Sequence, residues 1–108
     1  MRILATTLLL AAACAATAAA QDKVSRGQQV YADQKCGMCH SIGDKGNKKG
    51  PLDGVGSKLS AADIRAWMTD AKGMTAKTKA ARKPEMKSYA LPADELDAIV
   101  AHMVSLKK

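Results

Sequence analysis

Cys36-Gly37-Met38-Cys39-His40 is the stretch whose reading decides this chain. Two thiols at i and i+3, followed at once by a histidine, make the C-x-x-C-H pattern that attaches c-type haem. One turn of helix brings residues three apart to a common face, so both sulfurs can add to the two vinyl groups along one edge of a porphyrin. His40 then lies under the iron. Neutral imidazole is a good iron ligand, and covalent links at the neighbouring cysteines hold it near the metal at little further entropic cost. Two other chemistries use part of the pattern. A thioredoxin-like redox centre needs strand and helix alternating around C-x-x-C, and none is visible. A structural zinc site needs four ligands, and beyond the motif the chain offers only His102 and the poorly placed Cys14.

Toward the N-terminus, Met1-Arg2 precede an uncharged run from Ile3 to Ala20 that is rich in alanine and leucine, with Ala18-Ala19-Ala20 before Gln21 as a small-residue cleavage site. Residues 1–20 read as a secretory signal peptide, which leaves residues 21–108 as one mature domain with a periplasmic destination. An uncleaved anchor is the first alternative, because the run is about 18 residues, near the minimum for a spanning helix. Its alanines and small-residue exit favour removal, after which no stable membrane insertion is expected. A lipoprotein anchored through Cys14, after Leu10-Ala11-Ala12-Ala13, is the second, set back by the short apolar segment before the cysteine.

With residues 1–20 removed, the only cysteines are those of the motif, so no disulfide framework can form, and thioether links would consume both thiols. Of the 17 Lys and Arg only Arg2 is lost with them, whereas all 10 Asp and Glu stay. The domain is therefore basic, and its expected partners are acidic. Lys72, Lys77, Lys79, Arg82, Lys83 and Lys87 cluster in one stretch. The cluster lacks the interleaved aromatics of a nucleic-acid site, and an exported protein seldom meets nucleic acid. It reads as a protein-docking face, with a merely solvated surface as the alternative. The chain has no phenylalanine, one tryptophan and two tyrosines. A small domain short of the aromatic area that usually fills a core has room for a buried macrocycle.

Along the chain, Val24, Gly27 and Tyr31 place one residue per turn on a common face, predicting a helix over residues 24–34. A mid-helix glycine costs about 1 kcal/mol relative to alanine, which suggests close approach by another element. Ser41 to Leu59 is glycine- and lysine-rich without a period and is expected as loop. Within it, Gly50-Pro51-Leu52 is a rigid turn. A carbonyl there is placed to accept the second N–H of His40, the alternative being an ordinary turn. Ser60-Ala61-Ala62-Asp63 is a capping box, and Ile64, Trp67, Met68 and Ala71 follow it as one apolar stripe. Trp67 reads as core, with a haem propionate as a partner for its indole N–H.

Lys72 to Tyr89 is expected as loop. It contains Pro84-Glu85-Met86, in which Met86 is a candidate sixth ligand to the iron. Met74 is its rival, while Met68 and Met103 sit on helical stripes and are explained as packing. The final helix opens with Pro92, carries Asp94 and Glu95 at its positive end, repeats the stripe in Leu96, Ile99, Val100 and Met103, and closes on Lys107-Lys108. His102, beside that stripe, reads as an interface residue and not as a ligand.

This order resembles the small class I cytochromes c of bacterial periplasmic and mitochondrial kind, over nearly all of residues 21–108. The most specific parts of the resemblance are Cys36, Cys39 and His40, then Met86 with Tyr89 three residues on. The resemblance implies an all-α fold of three to four helices and loops wrapped around one covalently attached haem c, with the terminal helices crossing at Gly27. It also implies thioethers at Cys36 and Cys39, His40 as proximal and Met86 as distal ligand, the Pro51 carbonyl orienting His40, and Trp67 reaching a propionate. Two positions depart from the family pattern. His102 stands where an aromatic usually faces Gly27, and Lys87 follows Met86 where proline is common.

The expected protein is a monomeric soluble electron carrier and not an enzyme. It would shuttle single electrons between periplasmic or membrane-bound redox partners, namely an acidic oxidase, reductase or dehydrogenase. A haem protein with an open distal site for peroxidase chemistry or gas binding is one alternative. A dedicated cytochrome subunit of a dehydrogenase complex is another.

Overall fold

A computed structural model describes residues 2–108, with side chains from Ala18 onward. Cys14 and its lipid-anchor reading lie outside the described side chains, as does most of the segment read as a signal peptide. Among the described residues there are five α-helices: α1 (Arg2–Asp33), α2 (Val55–Lys58), α3 (Ala61–Thr69), α4 (Ala71–Thr78) and α5 (Ala93–Ser105). This exceeds the three to four expected, the additions being α2 and α4. None is long and apolar enough to cross a membrane.

The helix expected over residues 24–34 is the C-terminal part of the longer α1, which ends on Asp33. It packs along α5, and Gly27 sits at the closest approach. A methyl group on Gly27 would overlap the carbonyl oxygen of Ala98 and stand 2.6 Å from the β-carbon of His102. The missing side chain is therefore what lets the two backbones meet, at the helix cost that glycine carries. Tyr31, one turn further on, meets the His102 ring edge to face at 5.9 Å between centroids. The histidine thus occupies the aromatic place in the crossing.

Below the crossing, Val30 of α1, Ile64 and Met68 of α3, and Ile99, Val100 and Met103 of α5 form one buried cluster. The helices entering it begin as their sequences require. The Ser60 hydroxyl accepts the Asp63 N–H and caps α3, and Pro92 opens α5 ahead of Asp94 and Glu95.

The two stretches expected as loop contain more structure than expected. Residues 41–59 hold a two-residue antiparallel hairpin, β1 (Ser41–Ile42) and β2 (Lys45–Gly46), a bridge from Ser41 to Pro51, and α2. The chain end secures α2, with the Gly56 N–H donating to the Leu106 carbonyl at 2.8 Å. The first half of residues 72–89 is helical. Asp70 ends α3, and its carboxylate accepts the Gly73 N–H, so the chain turns and restarts as α4. Burial of Ala71 and Met74 drives this second helix. Composition alone hid it, because Lys72, Gly73, Lys77 and Thr78 fill its solvent side. From Lys79 to Pro92 the chain is irregular, with a cis peptide at Lys83–Pro84.

Candidate functional site

The C-x-x-C-H motif begins where α1 ends. Lys35 takes a left-handed backbone conformation, φ 56°, and turns the chain into a single 3₁₀ turn over Cys36–Met38. The His40 N–H donates to the Cys36 carbonyl at 3.0 Å, and Asn47 ties the turn to the hairpin through its N–H to the His40 carbonyl. The motif is thus held by backbone bonds on both sides. Cys36 is half-buried and Cys39 exposed, and burial pushes the Cys36 thiol up from its ordinary value.

His40 Nδ1 lies 3.0 Å from the Gly50 carbonyl oxygen. A carbonyl only accepts, so the bond places the ring proton on Nδ1 and leaves the Nε2 lone pair for a metal. The same carbonyl accepts the Ser41 N–H at 3.1 Å. The resemblance put the orienting carbonyl on Pro51, and the structure corrects it to Gly50. The Ser41–Pro51 bridge sets the direction of that peptide, and Pro51 is exposed without lining the site. Burial pushes the His40 imidazole down from its ordinary value, the Gly50 carbonyl opposes this, and the Arg82 guanidinium adds to the lowering.

Cys36, Cys39 and His40 open onto one cavity of about 610 Å³, whose walls include Tyr31, Leu59, Trp67 and Met86. A volume of this size suits a ligand of several tens of atoms. Its far wall is the irregular segment after α4, which long-range bonds hold in place. The Tyr89 N–H donates to the Met68 carbonyl at 2.7 Å, and the Ser88 hydroxyl accepts the Ala71 N–H at 2.9 Å. Met86 lies between these anchors and Pro84. Met74, the rival, is a core residue that does not line the cavity, and neither does Met68. Met103 lines it from the buried stripe of α5. The structure therefore brings Cys36, Cys39, His40, Trp67 and Met86 together and leaves Pro51 out.

Tyr31 and Arg82 also line the cavity. Tyr31, by its spacing a helix-face residue, faces the cavity, and its buried hydroxyl has no protein partner. Arg82 belongs by sequence to the basic cluster that reads as a docking face, and the structure sets it at the cavity wall. Its signal was available, because it is the one arginine in a run of lysines, and arginine's planar fork suits seated positions that lysine does not.

The donor set fits a haem. Two thiols three residues apart, an imidazole with one free ring nitrogen, a thioether and an orphaned hydroxyl surround a predominantly apolar cavity in an all-α fold, which defines a c-type haem protein. The Cytochrome c family model matches residues 24–107, and the chain belongs to that family. No curated protein and no solved structure matches it. Membership makes it a haem-binding electron-transfer protein with covalently attached haem c and its iron. Proteins of this family are generally electron carriers and not enzymes.

Proposed function

We propose that this chain is a soluble, monomeric one-electron carrier whose haem iron is held between His40 and Met86, and that it is exported to the periplasm with loss of residues 1–20. The observation that carries the reading concerns the methionines. Among those with described side chains, only Met86 and Met103 line the cavity that Cys36, Cys39 and His40 open onto. Met103 is committed to the core beside Ile99, whereas Met86 is half-buried on a segment anchored at Tyr89.

When bound, the haem supplies a ferric–ferrous couple. The protein's part is to hold and tune it. His40 keeps one orientation through Gly50, which also raises the basicity of its free nitrogen. The soft Met86 thioether favours the reduced state, as does the apolar wall. With His40 and Met86 both holding the iron, the site would leave a substrate no open position on it. Trp67 is the proposed donor to a propionate. Lys35 and Lys87 stand at the cavity beside Cys36, and this positive rim steers an acidic partner into brief contact.

The test is an absorption spectrum of the oxidised, haem-loaded protein for wild type, Met86→Ala and Met103→Leu. A weak long-wavelength sulfur-to-iron band that disappears only in Met86→Ala supports the reading. A wild type without the band, with high-spin iron that takes up added ligands, overturns it in favour of an open distal site.

A further inference from the structure

Arg82 lies on the same segment as Met86, but its guanidinium reaches the turn that holds His40. A side chain on Gly50 would overlap both the Arg82 guanidinium and the carbonyl oxygen of Cys39. The glycine therefore leaves the room into which the guanidinium fits. The Gly50 peptide is the one whose carbonyl accepts from both His40 Nδ1 and the Ser41 N–H, so its two lone pairs are engaged. The ion pairs of the described residues, Arg26–Glu95, Arg65–Asp97 and Lys83–Glu85, do not include Arg82. An arginine on an exposed segment usually finds a carboxylate or extends into solvent. This one, though exposed as a residue, lays its guanidinium against a peptide at the cavity wall.

We propose that Arg82 is a positioning residue of the haem-iron site: seated against Gly50, it holds the peptide that orients His40 and keeps a permanent positive charge beside that histidine, which raises the reduction potential. The inference rests on His40 as the proximal ligand and is independent of Met86. Two effects of the charge have the same sign. A cation beside the Gly50 peptide draws electron density from the carbonyl, so the imidazole donates less strongly to the metal. The same cation also disfavours the oxidised site, which carries one more positive charge than the reduced one.

The experiment is an equilibrium redox titration of the haem-loaded protein for wild type, Arg82→Gln, Arg82→Lys and Lys79→Gln. Lys79→Gln removes a charge from the same segment but outside the cavity wall. It is paired with solvent exchange of the His40 Nδ1 proton followed by NMR. In Arg82→Gln the reduced-to-oxidised ratio at the wild-type midpoint falls about threefold, which is about 28 mV at 59 mV per tenfold, and the Nδ1 proton exchanges faster. Lys79→Gln moves the ratio less than half as far, and Arg82→Lys recovers most of it.

A shift in Arg82→Gln no larger than in Lys79→Gln overturns the proposal. So does an unaltered Nδ1 exchange rate, or a lysine variant as displaced as the glutamine one. The sulfur-to-iron band in the same wild-type sample reports the axial methionine separately, so failure of the Met86 assignment is seen without disturbing this result.

Discussion

Gly27 of α1 and His102 of α5 are packed so closely that a β-carbon on the glycine would stand 2.6 Å from that of the histidine. The second obstacle, the Ala98 carbonyl, is backbone and cannot rotate away. Gly27→Ala gains about 1 kcal/mol in helix propensity but must separate the helices, and overpacking of this kind costs about 1–3 kcal/mol or more. A net loss of stability of up to about 2 kcal/mol is expected in urea unfolding. A variant more stable than wild type would mean that the crossing yields without cost.

His102 is buried beneath Tyr31 and Gly27 of α1, and its Nδ1 has no partner. Burial pushes its imidazole below the ordinary value of 6.5. In the window between that value and the lowered folded one, the unfolded chain binds a proton that the folded chain does not. Stability is therefore complete above 6.5 and declines as pH falls through the window, at no more than about 1.4 kcal/mol per pH unit for one proton. Unfolding free energies measured from neutral pH downward are expected to fall less steeply in His102→Phe than in wild type. Parallel pH profiles would remove His102 from the account.

Met74 shows what packing alone predicts for a thioether in this chain. It is buried in α4 away from the haem cavity. Met74→Ala is expected to cost about 2–3 kcal/mol through lost contacts and a residual void, with the absorption spectrum of the loaded protein unchanged. Loss of the sulfur-to-iron band in this variant would reverse the ligand assignment.

Asp70 closes α3 and caps α4 through the Gly73 N–H at 3.2 Å. Asp70→Ala removes that acceptor from an eight-residue helix and is expected to cost about 1 kcal/mol in thermal or urea unfolding. Hydrogen exchange at Met74 and its neighbours should rise more than in α5, because the short helix depends on its cap. Equal protection in both helices would show that burial of Ala71 and Met74 suffices.

The parts of this protein legible in its sequence are those whose physics is local. C-x-x-C-H depends on one turn of backbone, the Ser60–Asp63 cap on three residues, and the stripe of α5 on a repeat that only one face of one helix can satisfy. The spacing of Val24, Gly27 and Tyr31 puts the glycine on the helix face, where its cost suggests an approaching element, a poor helix near a frayed terminus being the other reading.

What sequence left open was decided by groups far apart in the chain. Which carbonyl meets His40 depended on a bridge between Ser41 and Pro51, and the answer moved by one residue, from Pro51 to Gly50. Residues 71–78 became a helix because Ala71 and Met74 had a core to enter. Met86 faces the cavity because Tyr89 and Ser88 bond back to Met68 and Ala71, and Arg82 lies on Gly50 because that segment returns over the turn. A short pattern carries its own geometry, whereas a contact across dozens of residues exists only once the hydrophobic core has set where each segment runs.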